Sequence, residues 1–232
     1  MNRLFLSLLP VALLLASCGE TFQEVAARYQ TAIDALRADM EQVADLVQAG
    51  PADTDTAAPL DPPPVFKLND AAGSNTAILI LERLIEPERS LPSDELLDLR
   101  LSNGLENVFI WSKREGKAFE TFEPAILDTT SVRYLVVYQV LQHEAPKVDA
   151  QLHYTIGGAR LGVHVYDREK KALVASFPVA ALSAQTVEYT YRKDGSDQAV
   201  AANNWARSSL WENLRKAVTE ALAEKTGGIF AL

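Results

Sequence analysis

Apolar residues recur at intervals of three and four between residues 20 and 48, which is the spacing of one amphipathic helix. Gly50-Pro51 predicts its C-terminal end. Because the stripe is close to a heptad repeat, two alternatives stay open: it packs on the protein's own domain or on a partner, or it self-associates as a coiled coil. The stripe consists of Phe22, Val25, Tyr29, Ile33, Leu36, Met40, Val43 and Val47.

A segment rich in proline, alanine and acidic residues follows over residues 50–67 and predicts a linker. Its Pro62-Pro63-Pro64 run is expected to be stiff and extended. At 3.3–3.6 Å per residue, such a linker reaches roughly 60 Å. The boundary of the main domain therefore falls here.

Beyond residue 68 the pattern alternates between strands and helices. Gly157-Gly158 predicts a two-residue hairpin loop in which Ile156 pairs with Ala159. Val132–Leu141 is apolar on both faces and predicts a central strand. The predicted strands are Thr76–Ile85, Asn107–Trp111, Val132–Leu141, Gln151–Ile156, Ala159–Tyr166, Lys171–Val179 and Val187–Arg192.

Two helices are predicted within this region. Ser93 caps the first, which ends at Asn103-Gly104. Ser196 caps the second, a long C-terminal helix closed by Gly227-Gly228. The order of elements predicts an α+β fold, with a mainly antiparallel sheet and helices packed on one face, preceded by the amphipathic helix and the proline-rich linker.

The N-terminus has the three parts of a secretory signal peptide: Arg3, an apolar run from Leu4 to Leu15, and small residues before a cut site. The run is too short for a transmembrane helix, which needs about 20 residues. The sequence Leu15-Ala16-Ser17-Cys18 resembles the lipobox of bacterial lipoproteins. The resemblance implies that cleavage precedes Cys18 and that this residue carries a covalent diacylglyceryl and acyl lipid such as palmitate. The alternatives are an ordinary signal peptide with an incidental cysteine, or an uncleaved membrane anchor.

The resemblance also bears on location. In Gram-negative lipoproteins an aspartate after the cysteine favours the inner membrane, whereas Gly19 and Glu20 stand here. The resemblance therefore implies anchorage on the periplasmic face of the outer membrane. The resulting division is a signal peptide over 1–17, the lipidated cysteine and helix over 18–49, the linker over 50–67, and the α+β domain over 68–232.

Charge and cysteine content narrow the function classes. The chain has 232 residues, 48% of them hydrophobic, and a net charge of −9. The charge argues against nucleic-acid binding, which needs a basic footprint, and leaves the lipid to hold the protein at the membrane. Cys18 is the only cysteine, so no disulfide is expected. No cofactor is expected besides the lipid.

Candidate chemistry is sparse, because no nucleotide-binding, hydrolase or zinc motif is present in the sequence. The predicted hairpin brings His153 close to His164 on one polar sheet face. Two histidines without a third ligand favour a solvated face, so no metal is expected. The face consists of His153, Arg160, His164, Glu188 and Arg192.

A second candidate is an aromatic and basic segment before a turn, which is typical of interaction surfaces. Strand alternation, with the tyrosines facing the core, explains the same pattern. The segment contains Tyr189, Tyr191, Arg192 and Lys193.

The predicted function is a non-catalytic, membrane-anchored lipoprotein that binds another protein of the cell envelope. The predicted topology is similar to small domains of periplasmic lipoproteins, including transport-auxiliary lipoproteins and envelope assembly factors. Because topology alone assigns no function, two alternatives are kept: a binding protein for a small apolar or lipid ligand, and an enzyme of unfamiliar type.

Overall fold

A computed structural model gives the fold and describes residues 19–50, 55–67, 74–85, 108–188 and 198–231. Its helices are α1 (Phe22–Arg28), α2 (Gln30–Ala49), α3 (Leu81–Ile85), α4 (Phe122–Thr130) and α5 (Gln198–Thr226). Its strands are β1 (Val65–Lys67), β2 (Thr76–Ile80), β3 (Tyr134–Glu144), β4 (Lys147–Val148), β5 (Tyr154–Thr155), β6 (Gly158–Asp167), β7 (Ala172–Leu182) and β8 (Ile229–Ala231).

A four-stranded sheet in the order β2-β3-β6-β7 forms the centre of the fold. β2 runs parallel to β3, and the two remaining pairs are antiparallel. This confirms the predicted α+β class with a mainly antiparallel sheet. β3 is central, as its two apolar faces predict, and its first five residues are buried. Pro178, which has no N–H to donate, is tolerated because β7 is an edge strand.

The C-terminal helix α5 covers one face of the sheet. Leu210, Leu214 and Leu222 are buried there against β3, β6 and β7. The helix ends at Thr226, and Gly227 adopts a φ of +68° just beyond it. A left-handed residue favours glycine, so the predicted Gly227-Gly228 closure is confirmed.

The N-terminal helix α2 covers the opposite face of the same sheet. Leu36, Val43 and Val47 pack in one cluster with Leu135 and Val137 of β3. Of the two alternatives for the apolar stripe, packing on the protein's own domain is the one observed. Helices therefore lie on both faces of the sheet, and the prediction that they pack on one face is wrong. β3 is apolar on both faces, and each face needs a cover.

The predicted helix over 20–48 is interrupted at Tyr29, which separates α1 from α2. α1 begins with a capping box in which Thr21 Oγ1 accepts from the Glu24 N–H and the Glu24 carboxylate accepts from the Thr21 N–H. α1 packs in a separate aromatic cluster with α4 and the residues around Val108. The stripe thus serves two clusters that divide between Ile33 and Leu36, because Ile33 still packs with α1 whereas Leu36 packs on the sheet.

A buried ion pair fixes α2 to the turn between β6 and β7. Asp39 is 2% exposed, and its carboxylate accepts from Arg168 Nε at 2.9 Å and from Lys171 Nζ at 2.5 Å. Arg168 Nη1 also donates to the carbonyl oxygens of Thr130 and Val132. The turn at residues 168–171 is therefore also the docking point of α2.

The described part of the proline-rich segment packs on the domain, which differs from a free extended linker. Phe66 is fully buried, and β1 pairs in parallel with β8 after the last helix. The Thr56 N–H donates to the Ser176 carbonyl, and the Leu60 N–H donates to the Thr226 carbonyl, both at 2.9 Å. An apolar ring in this segment is buried because exposing it to water is costly.

Two predicted strands are wrong in type or length. Thr76–Ile85 is a strand only to Ile80 and continues as α3. Beyond that point Glu82 Oε1 accepts from the Val140 N–H at 2.9 Å, so a side chain takes the bond that β2 would have formed. Residues 108–111, predicted as part of a strand, are helical. Tertiary packing of Val108 against α1 and α4 outweighs their strand propensity.

The predicted hairpin at Gly157-Gly158 is also wrong. β6 pairs with β3 and β7, whereas the short β5 pairs with β4. A Cβ on Gly157 would lie 2.2 Å from the Pro146 backbone nitrogen. The glycine therefore permits a close backbone approach rather than a turn. β6 and β7 match the predicted Ala159–Tyr166 and Lys171–Val179, and the predicted Gln151–Ile156 is reduced to β5.

The remaining predicted elements lie largely outside the described residues. The helix capped by Ser93 falls wholly there, as does Ser196. Of the predicted strand Val187–Arg192, residues 187–188 are described and have no strand structure.

Candidate functional site: an open cleft at the end of the sheet

An open cleft of about 350 Å³ lies where β3, β6 and β7 extend beyond the cover of α2. The side chains on this face of β6 come from every second residue: Arg160, Gly162 and His164. His164 pairs with Val137 of β3, which packs against α2, so this is the face of the sheet that α2 covers. At its far end this face is exposed. The walls of the cleft include Gln142, Glu144, Ile156, Arg160, Ala180 and Leu182.

A bulge in β3 and one glycine shape the cleft. The register shifts between Val140 and Gln142, which places Gln142 opposite Arg160 on the exposed face. The loop at Gly157 closes one side, because the Gly157 N–H donates to Ser183 Oγ at 3.0 Å. The Tyr154 hydroxyl lies 2.5 Å from the same Ser183 oxygen. Hydrogen bonds thus hold this wall in place.

The walls combine apolar and charged groups. Leu182 is 65% exposed and Ile156 is 44% exposed, while Arg160 and Glu144 supply opposite charges. Pockets for small ligands have volumes of about 300–1,000 Å³ with apolar walls and a few polar groups. This cleft is at the lower end of that range. Among the described residues, its walls contain no Ser, Cys, Lys or His side chain.

The two candidate histidines occupy different environments. His153 is exposed, and its Nδ1 lies 3.0 Å from Asp149 Oδ2. His164 is buried, pairs with Val137 and Ser176, and its Nδ1 lies 3.0 Å from Ser176 Oγ. The polar face predicted from the hairpin is therefore wrong for His164. Within the described residues no group of three or more His, Cys, Asp or Glu side chains could hold a metal ion.

Two further members of the predicted polar face are described. Arg160 is exposed at the cleft, and Glu188 is exposed beyond the end of β7. Arg160 is thus the only one of the four described members that lines the cleft.

Burial lowers the pKa of the His164 imidazole. At a pH above about 6.5, the His164 imidazole is neutral in both the folded and the unfolded state, so its titration does not change the free energy of unfolding. At a lower pH, the unfolded chain binds a proton that the folded state resists. The free energy of unfolding is therefore expected to fall as the pH drops through about 6.5 towards the lower folded pKa. His164→Asn, which keeps a polar atom beside Ser176, should flatten this slope in urea unfolding.

The matched control is His153→Asn, because the His153 side chain is 80% exposed. This variant should keep the acid-dependent loss of stability seen in the parent protein. An unchanged slope in His164→Asn would show that burial of this imidazole is not the cause.

Several predicted site residues lie outside the described part of the chain. They are the cleavage and lipidation residues Leu15, Ala16, Ser17 and Cys18, and the aromatic and basic residues Tyr189, Tyr191, Arg192 and Lys193.

Residues 20–22 pair with residues 116–118, close in sequence to the predicted lipid site. Thr21 forms a bridge with Lys117, the Ala118 N–H donates to the Glu20 carbonyl at 2.9 Å, and the Phe22 N–H donates to the Gly116 carbonyl at 3.2 Å. The chain is thus paired within three residues of the predicted lipid site. None of the described helices has the length and apolarity to cross a bilayer.

Sequence reasoning missed the cleft and the ion pair of Asp39. The cleft has no local signal, since its walls meet only through strand pairing. The position of Asp39 is visible in the sequence, because it lies three residues after Leu36 and four before Val43. This spacing places a carboxylate on the apolar stripe. A charge at such a position indicates a buried partner.

Comparison with known proteins gives no family for this chain. No protein-family model matches the sequence, and no curated protein matches it either.

Proposed function

We propose that this chain is a non-catalytic lipoprotein of the bacterial cell envelope, anchored to the periplasmic face of the outer membrane through a lipid on Cys18. The run Leu15-Ala16-Ser17-Cys18 carries the proposal. The pairing of residues 20–22 with residues 116–118 supports it, because it holds Gly19, the residue next to the proposed lipid site, exposed at the surface of the domain. The anchored domain binds another envelope component.

Replacing the cysteine tests the anchor. Cells fed an alkyne fatty acid should label the wild-type protein, and membrane separation should place it in the outer-membrane fraction. Cys18→Ala should lose the label, because only the thiol can form the thioether. Ser17→Ala is the matched control and should keep it, since a small residue still precedes the cut. An unlabelled wild-type protein would contradict the proposal.

The cleft favours a second candidate function, the binding of a small ligand that is largely apolar. Leu182 and Ile156 would contact its apolar part, while Arg160 would face a polar group. Native mass spectrometry of the full chain extracted from membranes should then detect a non-covalent ligand, and Leu182→Asp should lose it.

Ile229→Asp is the matched control, because Ile229 is also 65% exposed but lies on β8, outside the cleft. Equal ligand occupancy in both variants would remove the cleft from consideration as the binding site.

A further inference from the structure

We infer that the surface formed by residues 110–119 lies against the lipid bilayer and orients the domain on the membrane. This inference rests on the proposed anchor at Cys18. We call this surface the entry surface, because residues 20–22, which follow Cys18 in the sequence, pair beside it. Its members are Ile110, Trp111, Lys113, Arg114, Lys117 and Phe119.

The residues directly after Cys18 lie next to the entry surface. A Cβ on Gly19 would lie 3.8 Å from Lys117 Cδ, and Thr21 forms a bridge with Lys117. The peptide bond fixes consecutive Cα atoms about 3.8 Å apart. Any anchor on Cys18 is therefore held beside the entry surface, and the membrane that receives the anchor lies next to it.

The entry surface exposes apolar side chains that can insert into a bilayer. Ile110 is 62% exposed and Phe119 is 48% exposed. The Phe119 ring packs edge-on against Trp111 at 5.8 Å and against Phe22 at 5.0 Å between centroids. The exposed Phe119 ring thus rests on an aromatic cluster that includes the buried Phe22. Phe and Trp side chains are typical of the apolar faces with which protein segments lie in the membrane interface.

The entry surface also has basic residues that can contact lipid phosphates. Lys113, Arg114 and Lys117 are exposed, and the Arg114 guanidinium lies 5.6 Å from the centroids of both Phe22 and Phe119. Long basic side chains beside apolar groups can place their charge among phosphate headgroups while their stems contact apolar surface. This arrangement fits a phospholipid surface.

The neighbouring carboxylates are mostly engaged within the fold. Glu20 and Glu123 both pair with Arg28, and Glu24 belongs to the capping box of α1. Glu115 and Glu120 remain exposed beside the basic residues. The contact therefore draws on apolar insertion and on local basic groups, and the net charge of the chain, −9, does not oppose it at this place.

The test uses the full lipidated chain in vesicles of phosphatidylethanolamine and phosphatidylglycerol. Because a thioether on Cys18 leaves no other thiol, a single introduced cysteine can carry an environment-sensitive fluorophore. Ile110→Cys samples the entry surface, and Leu182→Cys is the matched control, since these residues are 62% and 65% exposed. We expect nitroxide-labelled lipids to quench the fluorophore at position 110 several-fold more strongly than at position 182.

The outcomes separate the inference from the proposed function. Protein that floats with the vesicles but shows equal lipid quenching at both positions keeps its anchor and overturns the inference. A wild-type protein that takes up the fluorophore has a free Cys18 thiol, which contradicts the proposed function and the inference with it. Quenching at position 110 by aqueous iodide, as strong as at position 182, would also overturn the inference.

Discussion

Asp39→Ala is expected to lower the free energy of unfolding by about 3 kcal/mol or more, because removing one partner of a buried ion pair leaves the other uncompensated. The remaining partner is Arg168, whose side chain is only 13% exposed. Lys171, at 55% exposure, can turn to water at little cost. Urea unfolding measures the change.

Asp34→Ala is the control on the same helix. Asp34 pairs with Arg37 at 3.1 Å, but both side chains are about half exposed, at 52% and 43%. Exposed pairs contribute roughly 0–1 kcal/mol, so this variant should remain close to the parent. Equal losses in the two variants would show that α2 does not depend on the buried pair for its docking.

Phe66→Ala is expected to cost about 3–5 kcal/mol, the usual range for removing a large aromatic side chain from a core. Phe66 is fully buried, and its ring packs edge-on against Tyr134 at 5.2 Å. A Cβ on Gly228 would lie 2.8 Å from Phe66 Cε2, so the chain after α5 closes directly over the ring. Differential scanning calorimetry or urea unfolding measures the loss.

Val65→Ala is the matched variant in the same strand, since Val65 is 42% exposed. It should change the free energy of unfolding by no more than about 0.5 kcal/mol, as surface substitutions do. If Phe66→Ala were equally mild, β1 would not contribute to the core, and the proline-rich segment would behave as the linker that its composition predicts.

Long periodic elements could be predicted from the sequence. β3 has apolar residues on both faces over most of its length, and the stripe of α5 recurs over many turns with a glycine beyond its end. A hydrophobic periodicity of that length identifies the element even where single residues deviate from it. The α+β class followed from them.

Short-range signals failed where packing outweighed them. Gly157-Gly158 has the composition of a hairpin turn, but Gly157 is needed where Pro146 approaches the backbone. Composition marked residues 50–67 as a linker, while one phenylalanine in it belongs to the core. Neither effect is visible without the partner segment, which lies far away in the sequence.

The cleft shows the same limit. Its walls depend on the pairing of Gln142 with Arg160 across a bulge, and on the point at which α2 stops covering the sheet. Periodicity predicts which face of a strand is apolar, but not how far another helix extends over it. The predicted lipid site is a different case, because the resemblance to a lipobox lies in adjacent residues of the sequence and needs no distant partner segment.

We propose that a lipid on Cys18 anchors the domain, whose residues 20–22 pair with residues 116–118. The most direct measurement is the mass of the N-terminal peptide from protein extracted from bacterial membranes. We expect a peptide that begins at Cys18 and carries the added mass of a diacylglyceryl group, with or without a further acyl chain. A peptide that begins elsewhere, or an unmodified Cys18, would contradict it.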